Sequence, residues 1–185
     1  GKVFGISRQA LVNDDVGAFT DLNGKFGLAA AEFEAGFLVK LLESGGGNGP
    51  TMGDSKALFH TDHGNKASSA GAPDETRLSA ARLAMRKQKG LSGEPINVAP
   101  RYMLVPPDLE TGSEKLLATI QATKSGDVNP FGGKLELLVE ARLSSLTRWY
   151  LAGDPGVVEG LEYAYLQGQE GPQIETRAGF EIDGL

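Results

Sequence analysis

The chain has 185 residues, 40% of them hydrophobic, a formal net charge of −6 and a pI near 5.0, which suits one ordinary domain or two small ones sharing a core. Charges of both signs are scattered, so no basic stripe argues for a nucleic-acid or membrane-surface partner; Arg82, Arg86, Lys87 and Lys89 come nearest, and a solvated helix face explains them as well. The absence of cysteine excludes a disulfide framework and thiolate metal sites, and neither a membrane-length apolar run of ~20 residues nor an export leader is present, so the chain reads as soluble and unexported.

Lys2 to Ile6 is a short extended segment, and Ser7 can cap a helical turn running from Arg8 to Val12. The stretch Asp14 to Ser44 then organises the chain. Its apolar residues Phe19, Leu22, Phe26, Ala30, Phe33, Phe37 and Leu41 recur at an average of roughly 3.7 residues, close to the helical period. The spacing predicts one long helix with a single apolar stripe, in the plainest reading a core helix, about 45 Å long at ~1.5 Å per residue. Asn13, Asp14 and Asp15 offer oxygens for the orphan N–H groups at its start, and Gly45-Gly46-Gly47 stops it. Gly17, Gly24, Gly27 and Gly36 weaken it, with Asn23-Gly24 the place for a bend.

Gly45 to Asp54 is a glycine-rich loop. It lacks the G-x-x-x-x-G-K-[ST] spacing of a phosphate cradle, as does Gly126 to Leu135. Ala57 to His60 reads as a strand and Thr61 to Pro73 as a polar loop. Leu78 to Gln88 is the second helix, with Leu78, Ala81, Met85 and, at its margin, Leu83 apolar. The proline-bounded run Tyr102-Met103-Leu104-Val105 suits a strand buried on both faces. Asp108 or Thr111 can cap a third helix reaching Ile120, with Leu109, Leu116, Leu117 and Ile120 inward. Leu135 to Val139 and Trp149 to Ala152 are further strands, followed by a short helix or turn at Val157 to Glu162. Tyr163 to Leu166 and Gln173 to Thr176 are extended segments. Phe180-Glu181-Ile182 followed by Asp183-Gly184 suggests a strand and hairpin turn whose pairing strand lies beyond Leu185. Helices and strands mix without strict βαβ alternation, which favours an α+β fold.

The sharpest catalytic candidate is Phe59-His60-Thr61-Asp62-His63-Gly64, since two imidazoles and a carboxylate could hold a hydrolytic zinc ion. His60 and His63 are the only histidines, so carboxylates would have to complete the ligand set; the alternative is a turn in which Asp62 and Asn65 bond nearby backbone. Gly90-Leu91-Ser92-Gly93-Glu94 lacks the last glycine of a nucleophile elbow. No catalytic, cofactor or metal residues are assigned on these grounds.

Ile6 to Phe19, ISRQALVNDDVGAF, resembles the major head subunit of Mu-like phages and prophages. The likeness continues through ALFHTDHGN (Ala57 to Asn65), Leu78 to Glu110 with VAPRYMLVPPDLE, WYLAGDP (Trp149 to Pro155) and Leu161 to Leu185. The resemblance implies the tailed-phage capsid fold of the Hong Kong 97 type: Asp14 to Ser44 as the spine helix, residues 1–77 as the first part of a peripheral domain with Gly1 to Ile6 closing an extended loop, 78–160 as the axial domain, and 161–185 as the return to the peripheral domain. It implies a structural, non-enzymatic protein without cofactors that assembles with itself, in hexameric and pentameric capsomers, into an icosahedral shell around double-stranded DNA. Scaffold and portal proteins are the further partners implied, DNA contact is at most weak and non-specific, and the place is the virion capsid, after synthesis in the bacterial host cytoplasm. Some family members are fused to a prohead protease, so the alternative is a maturation protease or a metal-dependent hydrolase using His60, Asp62 and His63.

Overall fold

In the computed structural model, residues 22–90, 92–118, 133–158 and 160–168 are described. They form helices α1 (Leu22–Gly47), α2 (Glu75–Arg86) and α3 (Glu110–Leu117), strands β1 (Tyr102–Val105), β2 (Glu136–Val139) and β3 (Tyr150–Ala152), and 3-10 turns at Thr61–His63 and Pro107–Leu109. Helix and sheet are mixed, as the sequence implies. The chain divides into two units, Gly1–Phe37 with Tyr163–Leu185, and Leu38–Glu162.

In the Leu38–Glu162 unit the proline-bounded run becomes the centre of a three-stranded sheet of order β2-β1-β3. β1 pairs parallel with β2, Tyr102 opposite Glu136 through Val105 opposite Val139, and antiparallel with β3, Leu104 opposite Tyr150. Pro100 and Pro106 lie just outside β1, where a missing N–H costs the ladder nothing. Alternation sends Met103 and Val105 to one face, and both are 0% exposed, as is Leu78 from α2. Leu109, Leu116, Leu117, Leu135, Leu137, Trp149 and Leu151 pack around these three. Each such burial contributes on the order of 1.5–3 kcal/mol. The opposite face departs from expectation: Tyr102 and Leu104 are only half-buried, so β1 is fully covered on one side alone. On that second side Tyr150 meets the Phe59 ring, with centroids 5.3 Å apart.

Both flanking strands are one residue shorter than predicted. Trp149 precedes β3 and packs on the core, its indole N–H donating to the Gly71 carbonyl at 3.0 Å. α2 begins earlier than Leu78, because Asp74 caps it by accepting from the Arg77 N–H at 2.7 Å, and it ends at Arg86 rather than Gln88. Leu83 points outward, five residues and therefore about 140° around the helix from Leu78. α3 follows a proline-started 3-10 turn and places Leu116 and Leu117 inward as predicted, but it starts at Glu110 with no side-chain cap, so neither Asp108 nor Thr111 caps it; Ser113 is buried, and Ile120 lies outside the described residues.

α1 is helical through Gly24, Gly27 and Gly36, without a break near Asn23-Gly24. It stops where the glycine run predicts: Ser44 turns extended, and Gly45 and Gly46 take left-handed conformations at φ 58° and 69°. The capping residues Asn13, Asp14 and Asp15 lie outside the described residues. Among the described residues of the apolar stripe the phenylalanines do not line a core, while Ala30 and Leu41 are partly buried; Phe19 and the Leu22 side chain lie outside the described residues. Phe26, Phe33 and Phe37 are 41%, 75% and 60% exposed, and Leu28 is exposed beside them, whereas Val39 is buried. The helical period is correct and the core assignment is overturned, because periodicity marks a face without saying what covers it.

The turn predicted at Val157 to Glu162 lies earlier, where the Val157 and Val158 N–H groups donate to the Asp154 carbonyl at 2.9 and 3.0 Å. Tyr163 to Leu166 pairs into no strand despite its strand-like composition; the segments Lys2 to Val12, Gln173 to Thr176 and Phe180 to Gly184 lie outside the described residues. No helix among the described residues is long and apolar enough to cross a membrane.

Candidate functional site

The histidine loop grows out of the end of α1. Gly47 and Gly49, at φ 85° and 78°, turn the chain back, and the Gly49 N–H donates to the Ser44 carbonyl at 3.0 Å. At Gly49 any side chain would meet Leu58, whose Cβ lies 2.7 Å from the position an added Cβ would take. Residues 48–52 then run against 56–59, held by Phe59 N–H to Asn48 O (2.8 Å), Leu58 N–H to Pro50 O (2.9 Å) and Met52 N–H to Lys56 O (2.7 Å). Ala57 to His60, predicted as a strand, makes only the isolated bridge Thr51↔Ala57; the arm ends too soon at the His60 cap to build a longer ladder.

The three candidate ligands sit on a 3-10 turn and are occupied with the loop itself. His60 caps the turn, its Nδ1 accepting from the Asp62 N–H at 3.1 Å. Asp62 pairs with Lys56 at 2.7 Å, and this hydrogen bond holds its carboxyl below the usual value while raising Lys56. His63 reaches Asp54 with Nε2 at 2.9 Å and the Leu58 carbonyl with Nδ1 at 3.0 Å; these contacts, the Asp54 bond first, raise it above its ordinary 6.5. A metal ligand needs a neutral ring with a free lone pair. Both nitrogens of His63 are already engaged, with the Leu58 carbonyl and the Asp54 carboxylate, and no group of three or more His, Asp or Glu able to hold a metal occurs among the described residues. Asn65 behaves as the turn reading expects, its side-chain amide donating to Leu58 O at 2.8 Å and its oxygen accepting from the His60 N–H at 3.1 Å. Asp54, nine residues from His63, could not have been picked from the motif, since only the turn at Met52 to Lys56 brings it back.

The same helix end is clamped from a segment about a hundred positions further along the chain. The Glu43 carboxylate accepts from the Ser144 N–H at 3.0 Å and lies 3.9 Å from the Arg148 guanidinium, which itself donates to the Gly46 carbonyl at 3.2 Å. Leu143, beside this clamp in sequence, is buried. No local signal in the sequence marks these partners, which are about a hundred positions apart. In the other unit, the Tyr165 hydroxyl donates to Glu34 at 2.6 Å, which pushes the phenol up to about 12, and Tyr163 stands edge-on to Tyr165 at 5.5 Å. Tyr163, Tyr165 and Leu166 remain exposed, as do Phe33 and Phe37. The arrangement is one of tied loops and open apolar surface.

The comparisons with known proteins agree with a surface-working protein. A chain from the capsid of bacteriophage JBD30, solved decorated with minor capsid protein trimers, shares the fold with a TM-score of 0.57 at 18% identity, covering 76% of this chain and 72% of that one. No curated protein matches. The family model described as phage capsid protein matches residues 1–185, and a family match over the whole length favours a structural role over the hydrolase alternative. The chain therefore belongs to the phage capsid protein family and is a structural subunit of a phage capsid.

Proposed function

We propose that the chain is the major head subunit of a Mu-like phage or prophage, built on the capsid fold of the Hong Kong 97 type. In this reading α1 is the spine helix, residues 1–77 and 161–185 belong to a peripheral domain and residues 78–160 form the axial domain. Copies assemble into hexameric and pentameric capsomers of an icosahedral shell enclosing double-stranded DNA. The observation that carries it is the exposed stripe Phe26, Phe33 and Phe37 on the long helix α1, apolar surface of the kind that marks an association face, in a chain matched over its full length by the capsid family. Many modest contacts multiplied by closed symmetry suffice for a stable shell. A net charge of −6 suits a wall that encloses DNA without clinging to it. Scaffold and portal proteins are the further partners of this reading, as are minor capsid proteins like those on the bacteriophage JBD30 capsid, and the host cytoplasm is the site of synthesis.

The test is particle size by light scattering and negative-stain microscopy over a range of protein and salt concentrations. Rings or shells formed by the chain and lost in a Phe33→Ser/Phe37→Ser variant that keeps its fold support the reading. Monodisperse monomers under every condition, or assemblies indifferent to the double substitution, count against it.

A further inference from the structure

Both ring nitrogens of His63 lie against oxygens, Nδ1 against the Leu58 carbonyl at 3.0 Å and Nε2 against the Asp54 carboxylate at 2.9 Å. A carbonyl only accepts, so Nδ1 carries a hydrogen; an ionised carboxylate only accepts, so Nε2 needs one too. A neutral imidazole has a single N–H and would turn a lone pair toward one of these oxygens. The arrangement is complete only in the imidazolium. Three separate pieces of the loop meet in it: the Met52–Lys56 turn through Asp54, the returning arm through Leu58, and the Thr61–His63 turn. Gly47 and Gly49, both left-handed, stand at the foot of the loop, where the backbone turns most freely.

We propose that residues 48–66 form a proton-dependent clasp, in which protonated His63 holds the Met52–Lys56 turn against Leu58 and the Thr61–His63 turn, and loss of that proton releases it. The charged and titratable groups facing His63 are Asp54 and Lys56 from the turn and Asp62 and His60 from the 3-10 turn, the two imidazole rings standing edge-on at 5.8 Å. From α2's side the neutral Gln88 side chain donates to the His63 carbonyl at 3.0 Å and adds no charge. The Lys56–Asp62 pair is a second strap between the same turns, exposed and therefore weakened by salt. The sign follows from the directions of the shifts. His63, raised above 6.5, contributes in full below that pH and loses its contribution as pH rises through its folded value. Asp54, lowered from 3.8, contributes above that pH and loses its contribution as pH falls through its folded value. The clasp is thus closed between these limits and opens on either side.

The test follows His63 by NMR and the protection of the Met52, Ser55 and His63 amides by hydrogen exchange, corrected for intrinsic rate, on the whole chain between about pH 5.5 and 8.5 at roughly physiological salt. The expected result is titration of His63 above 6.5, with protection falling by up to about tenfold per pH unit as that proton is lost. In Asp54→Asn the side-chain amide can donate to the neutral Nε2, so the alkaline loss disappears, whereas Asp62→Asn retains it. Titration of wild-type His63 at or below 6.5 overturns the clasp. So does an unchanged alkaline loss in Asp54→Asn, or its disappearance in Asp62→Asn.

Discussion

Two apolar rows, both set out with regular spacing, end in opposite circumstances. Met103 and Val105, two residues apart on β1, are 0% exposed, whereas Phe33 and Phe37, four residues apart on α1, are 75% and 60% exposed. The strand pair is covered because α2, α3 and both neighbouring strands bring Leu78, Leu116, Leu117, Leu137 and Leu151 onto the same face. The helix pair has no such cover among the described residues, although phenylalanine loses more from exposure than valine does. Amphipathic spacing therefore reports that a face prefers to be covered, and the cover can come from the same chain or, in a shell-forming protein, from another copy.

The comparison breaks most visibly if the sheet face is hollowed. Leu78→Ala or Met103→Ala should lower unfolding stability by about 2–5 kcal/mol in urea titrations, since the fully packed site leaves a cavity. A loss under ~1 kcal/mol would mean that this face is not the core. Next in size is the α1 terminus: Gly47→Ala drives a Cβ into the Arg148 guanidinium at a left-handed φ of 85°, for a loss of about 1–3 kcal/mol. Gly53→Ala, with nothing near its added Cβ, should stay within ~0.5 kcal/mol. Removing the Asp74 cap by Asp74→Ala should cost about 1 kcal/mol, measurable as a lower thermal midpoint with α2 otherwise retained. The smallest change in monomer stability sharpens the contrast furthest. Phe33→Ser should shift unfolding by no more than ~0.5 kcal/mol while abolishing the assembly that the proposed function predicts, with light scattering as the check. A large destabilisation of the unassembled chain by Phe33→Ser would instead assign the stripe to an internal core.

Much of the architecture was legible locally. Tyr102 to Val105 has the predicted bounds, since β-favouring residues between prolines leave little alternative. The triple glycine ended α1 where it should, because left-handed backbone at Gly45 and Gly46 costs glycine little. Ala57 to His60 misled because its β-favouring residues lack a partner arm long enough to make a strand. The histidine pattern was legible as a cluster and illegible as chemistry: the residues that decide what His63 does are Asp54 and the Leu58 carbonyl, and neither belongs to the motif's spacing.

By itself the sequence determined the periods and the stops: the helical stripe of α1, the bounds of β1, the inward leucines of α3. These depend on a few neighbouring residues and their backbone preferences. Only the tertiary structure decided that β2 joins β1 in parallel and β3 antiparallel, and that Glu43 meets Ser144 and Arg148 across about a hundred positions. It also decided that the phenylalanine stripe stays open while the valine and methionine of β1 close. Pairing, clamping and cover are contacts between distant segments, and a local pattern specifies the need for a partner without naming which segment meets it.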